Sequence, residues 1–297
     1  MDYQEFCKNL TITFSGFNIK NYLRLAIESL LAVHPELKDN IVVFDDNSTD
    51  GTSTMLKEMS IKRISWLPEF YSDVENYQKN FGSCMAHYTN LIIYNIMKQI
   101  NTKYALINDG DVVFLSPFLY DYINLIQDRK ALIVCETLTN FENFKKKSAE
   151  VPGVTEDYIN KYSLLVRPCG TLYRAHLWHG LLDLSFLKDS GIYFDDIFDE
   201  QYTKLIAPVP IADGGLNFFY SIESNKIKYL DLNEHYGYQQ LPVYHFGWRS
   251  SLAKYLTNTR YTLQPVEQEL EARLKKDMDG NKALCSILDR FKHIAVR

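Results

Sequence analysis

The sequence predicts an α/β protein on a doubly wound, mostly parallel sheet, and three observations lead there. Short apolar runs with strand character recur, as in Leu10–Phe14, Ile41–Phe44, Tyr104–Ile107 and Ala131–Glu136. Stretches with apolar residues at helical spacing stand between them. Four such β-then-α units fit in about 125 residues, a density that calls for parallel strands joined by right-handed crossovers. A chain of 297 residues that is 46% hydrophobic can bury a large core around such a sheet.

The first strand, Leu10–Phe14, stops at the small polar turn Ser15-Gly16-Phe17-Asn18. From Ile19 onward Leu23, Ala26, Ile27, Leu30 and Leu31 recur as a helical stripe, which Pro35 closes. Ile41-Val42-Val43-Phe44 is continuously apolar, as in a strand covered on both faces, and it runs into Asp45-Asp46-Asn47-Ser48-Thr49-Asp50-Gly51-Thr52. Ser48, Thr49 or Asp50 can cap the helix through Met55 and Leu56, which leaves the adjacent acids Asp45 and Asp46 outside the ends of the strands, where open parallel sheets bind ligands. A third strand is expected over Ile64–Leu67, followed by Asn80-Phe81-Gly82 and a helix with Cys84, Tyr88, Leu91, Ile92 and Ile96 on one stripe. Ser116-Pro117 reads as the cap and first residue of another helix.

The strand Tyr104–Ile107 delivers Asn108-Asp109-Gly110-Asp111, after which Val112-Val113-Phe114 resumes β character. Two readings of that break are open. Asp109 and Asp111, one residue apart around a glycine that lets the backbone turn, can face one hard divalent cation. Asp-Gly between two apolar runs is also a strong hairpin signal.

Composition narrows the function. The net charge is −5, from 32 basic and 37 acidic residues, so no basic face for nucleic acid is expected. The five cysteines are scattered and hold no Cys-x-x-Cys pair, against a disulfide framework or zinc site and in favour of a reducing compartment. No signal-peptide core opens the chain and no apolar run approaches the ~18 residues of a membrane span, so the expected location is the cytoplasm.

The elements Ser15-Gly16-Phe17-Asn18 with Tyr22-Leu23, Val43 to Thr52, Asn80-x-Gly82 and Asp109-x-Asp111 resemble the nucleotide-sugar-binding half of the GT-A glycosyltransferases, most closely the inverting family 2. The resemblance covers residues 9 to 120. It implies a GT-A fold, that Ser15 and Asp46 line the nucleobase pocket, that Asp109 reaches the ribose, and that Asp111 ligates Mn²⁺ or Mg²⁺ bridging the diphosphate. Where the family shows Ala-Arg-Asn after Asn80-x-Gly82, this chain has Ala86-His87-Tyr88. UDP is then the default donor nucleotide, with GDP and dTDP open.

The resemblance continues more loosely. Residues 138–165, with Lys145-Lys146-Lys147, read as a surface excursion, and Cys169–Arg174 resembles the short strand under the acceptor site, followed by a helix from Ala175 to about Leu187. Inverting transfer needs a carboxylate that takes the acceptor hydroxyl's proton. Asp213 is the candidate, although the family's Glu-Asp is Ala212-Asp213 here, and Asp195, Asp196, Asp199 and Glu200 compete with it. His245 is a candidate third metal ligand or else a structural histidine, Arg249 a diphosphate contact, and Trp248 a stacking surface for an acceptor sugar.

The expected organisation is a glycosyltransferase domain over residues 1–250, with its donor half at 9–120 and its acceptor half at 165–250, and a C-terminal helical extension over 251–297. In the extension Leu270, Leu274 and Met278 share a stripe, Asp279-Gly280-Asn281 breaks it, and Leu284, Ile287, Leu288, Phe291 and Ile294 resume it. Its Lys282, Arg290, Lys292, His293 and Arg297 allow a peripheral contact with the inner face of a membrane, against the alternative of a packing helix. The implied activity is metal-dependent, inverting sugar transfer from a nucleotide-diphosphate sugar to a glycan or lipid-linked oligosaccharide in surface polysaccharide synthesis. The rivals are a catalytically silent sugar-binding or scaffold module and a sugar nucleotidyltransferase. The latter needs a glycine-rich basic loop after the first strand, which Ser15-Gly16-Phe17-Asn18 is not.

Overall fold

The structure is a computed structural model that describes residues 2–72, 74–75, 91–129, 132–135, 179–189, 229–236, 241–246, 278–279 and 281–291. The expectations for Asn80-x-Gly82, Ala86-His87-Tyr88, Lys145–Lys147, Cys169–Arg174, Asp195–Glu200, Asp213, Trp248, Arg249 and Val266–Leu274 lie outside the described residues. The chain forms two compact units. The first comprises Met1–Ser65, Leu106–Asn124 and Tyr236–Arg297, and the second comprises Trp66–Ala105 and Leu125–His235.

The first unit opens with a short helix the sequence reading did not anticipate, α1 (Tyr3–Lys8), capped by Asp2, whose side chain accepts from the Gln4 and Glu5 amides. β1 (Leu10–Gly16) follows, then α2 (Lys20–Val33), a 3₁₀ turn at Pro35–Asn40, β2 (Ile41–Asp45), α3 (Thr52–Glu58) and β3 (Lys62–Ile64). β4 (Tyr104–Asp109) begins in the second unit and ends in the first. The order is β3-β2-β1-β4, with β1 parallel to β2 and β2 parallel to β3. All of β2 is buried, which is why its sequence shows no alternation. α2 buries Leu23, Ala26, Ile27 and Leu30 as the stripe predicts, but also Leu25 and Ser29, because it is covered on more than one side.

β5 (Val112–Phe114) does not fold back on β4. It pairs antiparallel with β9 (Val243–His245), so Asp109-Gly110-Asp111 is a crossing between two sheets and the hairpin reading is overturned. β5 has no polar side chain to expose and is wholly buried, against α2 and with the rings of Phe14 and Phe114 meeting edge to face. α4 (Leu119–Arg129) starts later than Ser116-Pro117 would place it. Its first amides find their acceptor in a distant residue: the Phe118 N–H donates to His34 Nε2 at 3.2 Å. No serine cap is needed there.

In the second unit β6 (Leu132–Cys135) lies between β7 (His179–Asp183), antiparallel to it, and β8 (Tyr229–Asp231), parallel to it. The helix expected from Ala175 to Leu187 is therefore corrected to β7 followed by α5 (Leu184–Asp189), which Asp183 starts by accepting from the Phe186 amide. Four consecutive buried residues, His179 to Leu182, carry no period that separates a buried strand from a buried helix. The third strand is likewise shifted, to Lys62–Ile64 from the expected Ile64–Leu67, since Leu67 instead donates its amide to the buried Asn95. β8 leads into α6 (Leu232–Tyr236).

At the C-terminus, α7 (Lys282–Arg290) starts at Asn281, whose side chain accepts from the Leu284 amide, in line with the expected break. Leu284, Ile287 and Phe291 are buried, so the described part of this stripe faces protein. Among the described residues no helix is long and apolar enough to cross a membrane.

Candidate metal centre

The β1, β2 and β4 strands end together, and three chain segments meet there. The first is the turn after β1. Its Asn18 sits at φ 53°, a left-handed conformation asparagine tolerates, and its amide donates to Ser48 Oγ at 3.0 Å. Asn18 Oδ1 in return accepts from the Thr49 amide at 2.8 Å. Asp50 joins the two loops as well, accepting from the Lys20 amide at 2.8 Å with one oxygen and from the Thr52 hydroxyl at 2.6 Å with the other. Of the three expected caps for α3, only Asp50 bonds to the start of that helix; Ser48 and Thr49 fasten the β2–α3 loop to the β1–α2 loop.

The second segment explains the doubled acid. Asp45 is fully buried and committed to structure: one oxygen accepts from Arg63 Nε at 2.7 Å and the other from the Ser48 amide at 3.0 Å. Asp46, 3% exposed, is tied to the first strand by its amide, which donates to the Gly16 carbonyl at 3.1 Å. β1 and β2 run in register here, Ser15 beside Phe44 and Gly16 beside Asp45, so Ser15 and Asp46 stand at neighbouring strand ends.

The third segment is the crossing from β4 to β5. Gly110 is needed for space. A Cβ built on it would stand 2.6 Å from the Ser15 carbonyl oxygen and 2.7 Å from Ile19 Cδ1, so the crossing lies directly on the turn after β1. Asp109 closes β4 and Asp111 immediately precedes β5, and the β5–β9 ladder brings His245 to them across 134 residues of sequence. The ladder extends to Asp111 itself, whose carbonyl accepts from the Phe246 amide at 2.9 Å. His245 Nε2 lies 3.1 Å from Asp111 Oδ1 and 3.5 Å from Asp109 Oδ2. One ligand atom from each of the three residues falls within 4.8 Å of the others, the spacing of a site that can hold a metal ion.

The electrostatics favour a cation at this point. Asp111 is almost entirely buried at 1% side-chain exposure, against 19% for Asp109 and 14% for His245. Burial by itself pushes the His245 imidazole down, and it is the largest single influence. The Asp111 charge and the hydrogen bonds to Asp109 and Asp111 together outweigh it and raise the ring to about 9. Two carboxylates with one imidazole suit a divalent ion that accepts oxygen and nitrogen together, as Mn²⁺ does. Ser15, Asp46, Asp109, Asp111 and His245 thus share one end of the first unit. Sequence reasoning missed two buried polar residues that hold the neighbouring chain, Ser29 in α2 and His34 just after its end; their only signal was a serine and a histidine next to apolar helix positions.

No curated protein matches the sequence. Among solved structures the chain is similar to glucosyl-3-phosphoglycerate synthase from Mycobacterium tuberculosis. Against its complex with uridine-diphosphate the identity is 12% over 60% of this chain, with a TM-score of 0.38, and the match spans 59% of that protein's length. The complex of the same enzyme with Mn²⁺ and uridine-diphosphate-glucose gives 13% identity, 77% and 71% coverage, and a TM-score of 0.41. With its phosphoglyceric acid complex the figures are 12%, 88% and 84%, and 0.41. The sequence also matches a family model over residues 16–279, nearly its whole length, and the chain belongs to that family, the family of unknown function DUF6492.

Proposed function

We propose that this chain is a metal-dependent, inverting glycosyltransferase of the GT-A type that uses a nucleotide-diphosphate sugar, with UDP as the default nucleotide. The observation that carries the reading is the Asp109, Asp111 and His245 cluster, built where parallel strands end and beside Ser15 and Asp46. Asp109, Asp111 and His245 hold the ion, Mn²⁺ or Mg²⁺. When bound, the ion offsets the charge of the departing diphosphate. Ser15 and Asp46 bind the nucleobase, and Asp109 also faces the ribose.

Asp213 takes the proton of the acceptor hydroxyl while that oxygen bonds to the anomeric carbon; the carbon–oxygen bond to the diphosphate breaks and its electron pair leaves with the nucleotide. Arg249 contacts the diphosphate and Trp248 stacks on the acceptor sugar. The acceptor is a glycan or a lipid-linked oligosaccharide of surface polysaccharide synthesis, met at the cytoplasmic face of the membrane. The glycosyltransferase domain takes in residues 1–250.

The test is thermal unfolding with UDP, GDP, dTDP and CMP in turn, each with and without Mn²⁺. A ligand at ~100 times its dissociation constant adds about 2.7 kcal/mol. A rise in midpoint for one nucleotide, present only with the metal, is expected. Absence of any rise with all four nucleotides overturns the reading in favour of a silent module.

A further inference from the structure

We propose that Ser29, in the third turn of α2, is a positioning residue for the metal centre. The inference rests on the Asp109, Asp111 and His245 reading above and goes beyond it. β5 is three residues long, and the ladder with β9 uses only one of its edges: Asp111 O accepts from the Phe246 amide and the Leu115 amide donates to Pro242 O on that side. Phe114 turns its N–H the other way, toward α2, where it donates to Ser29 Oγ at 3.1 Å.

Ser29 is fully buried, and its own hydroxyl proton goes to the Ala26 carbonyl at 3.0 Å, so the oxygen is fixed as an acceptor aimed at β5. Serine is a mediocre helix residue and an apolar residue is the ordinary choice at a fully buried helix position. Its hydroxyl here satisfies a strand amide that α2 shields from water, and a buried donor left without its partner drives local rearrangement. The amide that would lose its acceptor lies three residues after Asp111, the least exposed ligand of the cluster, in the strand that Asp111 immediately precedes. Ligand distances at a metal tolerate only about 0.2 Å, so a small shift of β5 is felt at Asp111.

The experiment titrates Mn²⁺ into the metal-free 297-residue chain, the Ser29→Ala variant and the Ser29→Thr variant, by calorimetry well below each unfolding midpoint. Ser29→Ala is expected to weaken Mn²⁺ binding by about tenfold, while Ser29→Thr, which keeps the hydroxyl, stays within about twofold of the parent. If Ser29→Ala fails to fold, Ser29→Cys fills the site with a slightly larger group that is a much weaker acceptor and is expected to show the same loss. A Ser29→Ala or Ser29→Cys protein that is less stable yet binds Mn²⁺ with parental affinity overturns the inference and leaves the metal centre standing. A parent protein that binds no Mn²⁺ overturns both.

Discussion

Replacing Gly110 by alanine asks how tightly the metal turn is packed. The new methyl would lie 2.6 Å from the Ser15 carbonyl oxygen and 2.7 Å from Ile19 Cδ1. Ile19 can turn its side chain, but the carbonyl belongs to β1, which is paired with β2 from Ile12 to Gly16 and cannot readily retreat. Bringing the closer contact out to 3.0 Å, below which real Cβ atoms essentially never approach a neighbour, moves the turn by at least 0.4 Å. That displacement is about twice the ~0.2 Å that metal–ligand distances tolerate. Overpacking of this kind costs roughly 1–3 kcal/mol. At roughly 2–4 °C per kcal/mol for a protein of this size, the midpoint should fall by several degrees. The effect on Mn²⁺ should be larger in proportion, because Asp109 and Asp111 flank the substituted residue, and the expected loss of affinity is tenfold or more. Calorimetric titration with Mn²⁺, run beside thermal unfolding, checks both numbers. A Gly110→Ala protein with parental stability and Mn²⁺ affinity within about twofold of the parent would refute the packing argument.

Four further outcomes are expected. Asp111→Asn should leave the protein folded while abolishing the Mn²⁺-dependent part of the nucleotide-induced rise in midpoint; an unchanged rise rules out the ligand role. Asp213→Asn should reduce turnover by orders of magnitude with donor binding retained, and near-parental turnover would move the base to one of Asp195, Asp196, Asp199 or Glu200. His34→Ala should cost about 1–3 kcal/mol in chemical denaturation, since it strips the acceptor from the buried Phe118 amide, and a smaller change would mean that water replaces the ring. The fourth is a pH profile of stability for the metal-free protein. Burial holds His179 at about 3 and lowers His34, so both stabilise fully above the ordinary value of ~6.5 and lose that contribution as pH falls below it, by up to about 1.4 kcal/mol per pH unit each. His245, raised to about 9, does the reverse: its contribution is complete below ~6.5 and is lost as pH rises to about 9. Denaturation midpoints at pH 5.5, 6.5 and 8.5 should therefore fall on both sides of 6.5, with His245→Gln flattening the alkaline side alone.

Much of the first unit was legible because local chemistry decided it. β2 is unbroken and apolar since both of its faces are covered, and the acids and asparagines after it fall where parallel strands end. Asp109 and Asp111 could be singled out for the same reason. What the sequence left open depends on partners distant along the chain. The same Asp-Gly pair serves a hairpin or a crossing, and only β9, more than a hundred residues further on, selects the crossing. Asp45 and Asp46 are adjacent and identical in type, yet Arg63 on the next strand consumes the first for structure. The start of α4 was misplaced because its acceptor is His34 at the end of α2, where no capping rule looks. β7 was read as helix because four of its residues are buried in succession, which shows no period of two.

The cluster's dependence on a distant strand also determines what metal binding reports. Asp109 and Asp111 sit together in the unfolded chain, but His245 is 134 residues from Asp111, and closing a loop of that length costs roughly 4 kcal/mol of chain entropy. The ion cannot supply that closure first, because two carboxylates one residue apart bind a hydrated divalent ion weakly. The β5–β9 ladder must supply it, through three residues of pairing on each strand, the buried rings beside β5, and the Phe114 and Phe118 amides that donate to Ser29 and His34. Metal affinity then measures how completely that ladder is docked. A substitution far from the three ligands that loosens β9 should lower Mn²⁺ affinity and stability together, whereas one that alters only a ligand should lower affinity alone.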